Sequence, residues 1–302
     1  VELTYEPSVW RSQKDDHFHT DGTLDARDRT SRDDSSLFKT NLWASGPLIK
    51  DRLFFFAMYE MRDADSRDID TEKAFYTDNN NDFWGGKLDW QISDNHLLEL
   101  LAFSDKSDPV TTTYKYTWDT DTLGRQIGDT IAGSGGNNWS VTYTGQFTDN
   151  FVAKVMYGVN ERSAASSSPR WDGICSRVSV ADSYTEEFGD PGGPDLVEGC
   201  HPTNGSISRR DDRREATRLD FEWTLGEHLL RFGLDREITE SDSSTRNPGD
   251  GRAYEVQGGW EPGDDLNGTV IPPGVTAIVD ARRYITGTPV ETETQAFYIE
   301  DN

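Results

Sequence analysis

Apolar and polar residues alternate with period two in several stretches of this 302-residue chain, the pattern of a strand with one face in an apolar environment. In the stretch from 137 to 147, Trp139, Val141, Tyr143, Gly145 and Phe147 share one face, and Ser140, Thr142, Thr144 and Gln146 the other. A short polar turn follows, and then Phe151, Ala153, Val155, Tyr157 and Val159 oppose Lys154, Gly158 and Asn160. The pattern recurs with Trp84, Gly86, Leu88, Trp90 and Ile92 against Lys87, Asp89 and Gln91. It returns with Leu219, Phe221 and Trp223 against Arg218, Asp220 and Glu222, and with Leu230, Phe232 and Leu234 against Arg231, Gly233 and Asp235. In 96–105 the series Leu97, Leu101, Phe103 and the series Leu98, Leu100, Ala102 are both apolar, so alternation alone does not assign its faces.

These stretches repeat one unit: a strand of about ten residues, a turn of two to five, a second strand, then a long polar segment. Short turns are expected at 46–51, 93–95, 148–150, 225–227 and 301–302, and long connections near 11–36, 63–80, 106–136, 163–212 and 242–288. Strict alternation of short and long connections puts every long one at the same end. A transmembrane β-barrel does this, with strands of about 9–11 residues, an outward apolar band and aromatic girdles. The predicted fold is therefore all-β, an antiparallel transmembrane barrel of which about ten strands lie in this chain. Lys87, Asp89, Lys154, Arg218, Asp220, Glu222, Arg231 and Asp235 then face a watery or plugged lumen, since a charge facing lipid at mid-depth costs about 2–4 kcal/mol. The competing architecture is a soluble β-sandwich that buries the aromatic face, as in a secreted β-rich protein.

Composition agrees with strands and narrows the partners. Only 33% of residues are hydrophobic, aromatics reach 11%, and the formal charge is -25; apolar content held in aromatics suits strands. No run of 18 apolar residues is present, so no helix here spans a bilayer. The basic clusters, such as "SRRDDRRE" at 208–215, are interleaved with acid, which argues against nucleic acid. Cys175 and Cys200 lie in one segment rich in Gly, Pro, Ser and Asp and lack metal-ligand spacing. A disulfide between them would close a loop of about 25 residues in an oxidising compartment and contribute on the order of 3 kcal/mol.

The stretch "SGPLIKDRLFFFAMYE" at 45–60 resembles the G-G-P-I-I-K-D-K-L-F-F-F hairpin of TonB-dependent outer-membrane receptors of the Oar-like subgroup, whose full-length members resemble carboxypeptidase-regulatory-domain receptors. "GGKLDWQISDNHLLELLAFSD" at 85–105 and "GEHLLRFGLDRE" at 226–237 are similar to the wider superfamily. The resemblance implies a 22-stranded barrel with an N-terminal plug and a TonB-box segment, in the outer membrane of a Gram-negative bacterium. Partners would be outer-membrane lipid, the TonB complex through the plug region, and an extracellular siderophore, glycan or peptide. Residues 1–302 are expected to form the N-terminal part of such a barrel, an open curved sheet without plug, TonB box or C-terminal strands. A surface adhesion or ligand-binding barrel without transport is the alternative function.

No H-E-x-x-H, G-x-S-x-G or P-loop is present, and no cofactor is implied. "DDHFHTDG" at 15–22 is the most metal-like stretch, with His17, His19 and nearby aspartates, but an acidic loop of this kind is ordinarily solvated; no metal site is expected. Candidate ligand contacts are the loop aromatics Trp118, Trp171, Trp260, Tyr114, Tyr116 and Tyr254, whose rings could stack on a sugar or siderophore or pin down long loops. Three adjacent phenylalanines, Phe54 to Phe56, cannot share a face; with Phe55 outward, Phe54 and Phe56 face the interior.

Overall fold

The computed structural model describes residues 1–10, 18, 20–22, 31–168, 176–181, 184, 206–249, 251–266 and 268–302. The chain runs through β1 (Glu2–Glu6), a 3₁₀ turn (Ser8–Trp10), β2 (Asp34–Ile49), β3 (Leu53–Ile69), β4 (Lys73–Asp78), β5 (Phe83–Ser93) and β6 (His96–Ser104). It continues through β7 (Val110–Thr117), a second 3₁₀ turn (Trp118–Thr120), β8 (Thr122–Gly135), β9 (Asn137–Thr148), β10 (Phe151–Ser167) and β11 (Arg177–Val180). Then come β12 (Ile207–Leu225), β13 (His228–Arg246), β14 (Arg252–Gln257), β15 (Asp265–Leu266), β16 (Thr269–Val270), β17 (Ile278–Arg283) and β18 (Ile285–Asp301).

Thirteen strands join in one antiparallel sheet. Within it β4, β7 and β8 continue the lines of β5, β6 and β9, because β3 pairs with β4 through Asp65–Ile69 and with β5 through Leu53–Glu60. On the other side β10 pairs with β9 through Phe151–Asn160 and with β8 through Ser163–Ser167. The sheet is thus a wall of ten antiparallel strands in chain order, the edge strand β1 short and three of the others interrupted near one level. A separate small sheet joins β11, β14 and β17, and β15 pairs with β16.

Four short turns close the wall at one end, at 50–52, 94–95, 149–150 and 226–227. Each uses residues suited to a tight reversal. Asp51 adopts φ 56°, which Asp tolerates better than most residues, and Gly226 takes φ 67° at the first position of a two-residue hairpin loop. Gly46 and Pro47, expected in the first turn, still belong to β2; a register shift between Pro47 and Ile49 accommodates the proline, which has no N–H to donate.

The strands are longer than the pattern suggested, with β12 and β13 each reaching 19 residues. The expected connections at 63–80 and 106–136 are largely the hairpins β3–β4 and β7–β8. The missed portions, such as "DADSRDI" at 63–69, carry no apolar face, so alternation is silent there while backbone pairing continues.

One row of cross-strand partners fixes the tilt of the wall: Arg236, Thr217, Tyr157, Val141, Leu100, Leu88 and Phe55 lie side by side from β13 to β3. Phe55 is two residues from the start of β3 at Leu53, whereas Arg236 is eight from the start of β13 at His228. Six residues of stagger at about 3.3 Å each, over six strand spacings of about 4.8 Å, give a tilt of about 35°, the value of barrel strands.

The same registers assign the faces. Leu98, Leu100 and Ala102 align with Trp90, Leu88 and Gly86 on the apolar face, so Leu97, Glu99, Leu101 and Phe103 lie on the charged face. Phe55 pairs with Leu88 on the apolar face, while Phe54 and Phe56 pair with Asp89 and Lys87 on the other, as expected. Aromatic rings on the apolar face run in contact near the short turns: Tyr143 to Phe147 (6.3 Å), Phe147 to Phe151 (6.1 Å), Phe151 to Phe221 (6.1 Å) and Phe221 to Phe232 (5.2 Å). Farther up, Trp139 meets Tyr157 at 5.5 Å.

Among the described residues only Ile69, Ala74, Tyr116, Ala153, Val159 and Ile271 are buried hydrophobics. A sandwich of this length would bury a full layer between two sheets. The apolar face of this single layer instead stands uncovered, with Trp84, Trp90, Trp139 and Phe147 all exposed.

Candidate functional site

The charged face is a ladder of ion pairs. Lys39 (2.8 Å) and Arg62 (2.6 Å) hold the buried Glu60; Lys87 bridges Asp89 (2.8 Å) and Glu99 (2.9 Å). Arg218 pairs with Asp220 (2.9 Å), Arg231 with Glu222 (3.0 Å) and Arg214 with Glu237 (2.5 Å). Strand alternation puts these side chains on one face, and cross-strand neighbours supply the opposite sign. Six cations meet six carboxylates here, so this part of the wall is neutral. The excess acid lies elsewhere: the segments 7–36, 63–82, 105–136, 163–212 and 242–288 together carry 35 Asp and Glu against 18 Lys and Arg. That is a net of -17, out of -25 for the whole chain.

Apolar side chains interrupt the ladder on the same face. Trp43, Phe54 and Phe56 are exposed there, and Met58, Leu97, Leu101 and Phe103 share it by register. A hollow of about 260 Å³ lies between Leu101, Phe103, Met156, Asn138, Asn160 and Arg214, over the small residues Ser140, Gly158 and Ala216.

At the long-connection end a knot ties the segment before β2 to the β7–β8 hairpin. The Arg32 guanidinium donates to the Tyr116 hydroxyl (2.6 Å) and the Trp118 carbonyl (2.7 Å), and lies 4.0 Å from the centre of the Trp118 ring. Tyr116 donates in turn to Asp121, and burial followed by that bond raises its phenol above the ordinary value. Ile69, Ala74 and Tyr116 form a small buried cluster with Tyr76, Tyr114 and Trp118 packed on it.

The expected aromatic contacts therefore divide. Tyr114, Tyr116 and Trp118 come together, but Tyr116 is 8% exposed and its hydroxyl is engaged, so this trio pins the hairpin. Tyr254 lies on β14 and lines a hollow of about 380 Å³ with Tyr284, Arg282 and Arg283. Trp260 is half-buried in the same connection, with no hydrogen-bond partner for its indole N–H among the described residues. Trp171, Cys175, Cys200, His17 and His19 lie outside the described residues. Among the described residues no three His, Cys, Asp or Glu side chains converge as a metal-holding group.

A further hollow, of about 630 Å³, was not foreseen from sequence. It lies at the long-connection end, between the 3₁₀ turn after β1 and the upper parts of β2, β3 and β4. Glu6, Trp10, Ser35, Asp65, Thr77 and Asn79 are in its lining, which contains no Lys or Arg. Glu6, Leu37 and Ala64 form one cross-strand row, and Ser35, Ser66 and Thr77 a second on the same face. Burial, and then repulsion from Asp63 and Asp78, raises the Asp65 carboxyl above its usual range.

No family model matches the chain, and no curated protein matches it. Among solved structures it is similar to the outer membrane transporter YddB from Escherichia coli, with a TM-score of 0.50 and 12% sequence identity. The likeness covers 99% of this chain and 37% of that transporter, so the chain spans well under half of its neighbour's length. At this identity the likeness speaks to fold: an all-β antiparallel wall of the outer-membrane barrel kind.

Proposed function

We propose that this chain is part of the barrel wall of an outer-membrane receptor that takes up an extracellular ligand, with energy supplied by the TonB complex. The observation that carries the reading is the division of one tilted sheet into an apolar face with aromatic girdles and a charged face paired within itself. Lipid would cover the first and a water-filled or plugged lumen would border the second. The apolar side chains on the charged face, Trp43, Phe54, Phe56 and Leu101, support a plug within the lumen, through which TonB would act. The acidic long connections would then face the cell exterior, where ligand arrives. No step of this function is chemical; the wall holds a conduit and the moving part is the plug.

Flotation of the native protein with outer-membrane vesicles, combined with uptake by a strain lacking its gene, tests the reading. The expected result is detergent-dependent extraction and loss of uptake of one ligand among siderophores, glycans and peptides. A protein that stays soluble without detergent would overturn it, while membrane insertion with unchanged uptake of every ligand would favour the adhesion or binding role.

A further inference from the structure

We propose that the hollow of about 260 Å³ on the charged face, between β6, β9, β10 and β12, holds one apolar residue of a neutral peptide ligand in extended form. This names a ligand class for the receptor proposed above and rests on that reading. Cross-strand rows place the floor and walls of the hollow on one face. Ser140, Gly158 and Ala216 are neighbours in a row that continues to Leu101, and Asn138, Asn160 and Arg214 in the next, which continues to Phe103. The first row carries small side chains between taller neighbours, so a ligand backbone can come close. At Gly158 even an added Cβ would lie 3.2 Å from the Ser140 Cβ. The volume is below the roughly 300–1,000 Å³ of a whole small-ligand site, which suits one residue of a longer chain.

An asparagine pair selects a peptide. Asn138 is 6% exposed, and its carbonyl oxygen accepts from the Glu161 backbone N–H (3.1 Å) and from the Asn160 side-chain amide. A backbone N–H can only donate, so it fixes which end of Asn138 is oxygen, and therefore which end of Asn160 is nitrogen. The Asn138 NH₂ is left as a donor and the Asn160 side-chain carbonyl as an acceptor, neither with a partner among the described residues. One donor beside one acceptor is what a strand edge presents, and a peptide group answers both. Leu101, Phe103 and Met156 supply the apolar wall. The Phe103 ring is held by stacking on Phe83 at 6.3 Å, while the Met156 thioether can adapt to side chains of different shape. The charges around the hollow are paired within the wall, Lys87 with Asp89 and Glu99, and Arg214 with Glu237, which favours a neutral ligand over an ion. Gly158 stands seven residues from the start of β10 at Phe151, whereas Phe56 stands three from the start of β3 at Leu53. The hollow is therefore nearer the long-connection end than Phe54 and Phe56, on the side from which a ligand arrives.

The test measures equilibrium binding of a fluorescent, end-blocked Leu-Ala-Leu tripeptide to the full-length receptor in outer-membrane vesicles. Flotation and heat-modifiable migration are scored on the same samples. Saturable binding is expected, weakened about tenfold or more by Ala216→Phe, which fills the hollow, and about tenfold by Asn160→Ala, which removes the acceptor. An analogue with an ester oxygen in place of the central N–H should bind the wild type several-fold more weakly than the tripeptide, and the Asn160→Ala variant no more weakly than the tripeptide does. A cysteine introduced by Ser140→Cys should react with a water-soluble maleimide, and the tripeptide should protect it. Equal affinity in Ala216→Phe, the same ester penalty with and without Asn160, or no saturable binding would each overturn the peptide site. A Ser140→Cys thiol that is unreactive without peptide would also overturn it, by giving the hollow to another part of the receptor such as the plug. A protein that floats and migrates as a barrel yet gives one of these results leaves the receptor reading standing; one that fails to float overturns both.

Discussion

An arginine placed at Val155 and one placed at Thr142 would test the two faces against each other. Val155 lies midway along the apolar series Phe151 to Val159, with Tyr143 and Leu219 as cross-strand partners. Thr142 belongs to the adjoining row on the charged face, between Met156 and Glu99. The two sites therefore differ little in depth and mainly in direction. If lipid covers the apolar face, Val155→Arg costs about 2–4 kcal/mol. Thr142→Arg would gain a partly exposed partner in Glu99, a contribution of about 0–1 kcal/mol. The difference of about 2–5 kcal/mol corresponds to about 30- to 4,000-fold in the unfolding equilibrium. Urea unfolding of the full-length protein in bilayers, followed by tryptophan fluorescence, measures both variants. A nitroxide at 155 should be relaxed by dissolved oxygen, and one at 142 by a water-soluble nickel complex. Equal costs, or a dearer Thr142→Arg, would refute the assignment of faces.

Gly233 is crossed by the Tyr298 ring: an added Cβ would lie 2.3 Å from the Leu219 carbonyl and 2.6 Å from the ring. Gly233→Ala should therefore lower the temperature of heat-modifiable unfolding, by about 1–3 kcal/mol of stability, and free the Tyr298 hydroxyl from Asp220. Arg32→Ala should leave the denaturant midpoint of the wall nearly unchanged but speed proteolysis at the β7–β8 tip, because the guanidinium joins segments more than 80 residues apart only at that end; an unchanged cleavage rate would show the knot to be redundant. The Asp212 carboxyl, above the membrane portion of β12, is lowered by its bond from Ser241 and by Arg210. Its contribution is present above the ordinary aspartate value of about 3.9 and fades as pH falls through the lower folded value. Ser241→Ala should flatten the acid limb of the stability profile below about pH 4, and a limb of unaltered steepness would contradict this.

Which parts of the wall were legible in sequence follows from where its two faces meet different surroundings. From Phe83 to Ser93 and from Phe151 to Val159, one face is apolar and the other polar, so alternation exposes both strand and orientation. Beyond that depth both faces meet water. Segments such as Asp63 to Ile69, or Ile207 to Arg213, are paired by backbone bonds and by charges such as Arg209 with Asp211, and carry no periodic apolar signal. The stretch 96–105 failed for the opposite reason. Leu97, Leu101 and Phe103 add apolar groups to the charged face, and only pairing with Gln91, Lys87 and Gly85 settles which series is which.

The candidate site was less legible still. Tyr114, Tyr116 and Trp118 could be singled out as loop aromatics, but their engagement with Arg32 depends on a residue more than 80 positions away. Glu6, Trp10, Asp65 and Thr77 come from four elements and carry no motif, so nothing local marks them as neighbours.

Sequence by itself determined the strands that contrast two environments, the short turns between them, and the division of side chains into apolar and charged faces. Each of these depends on residues a few positions apart. Tertiary structure alone decided the stagger that tilts the wall by about 35°, the continuation of three strands above it, and the meeting of four distant segments around one hollow. Those depend on register between separate strands, which backbone hydrogen bonding sets and local composition does not encode.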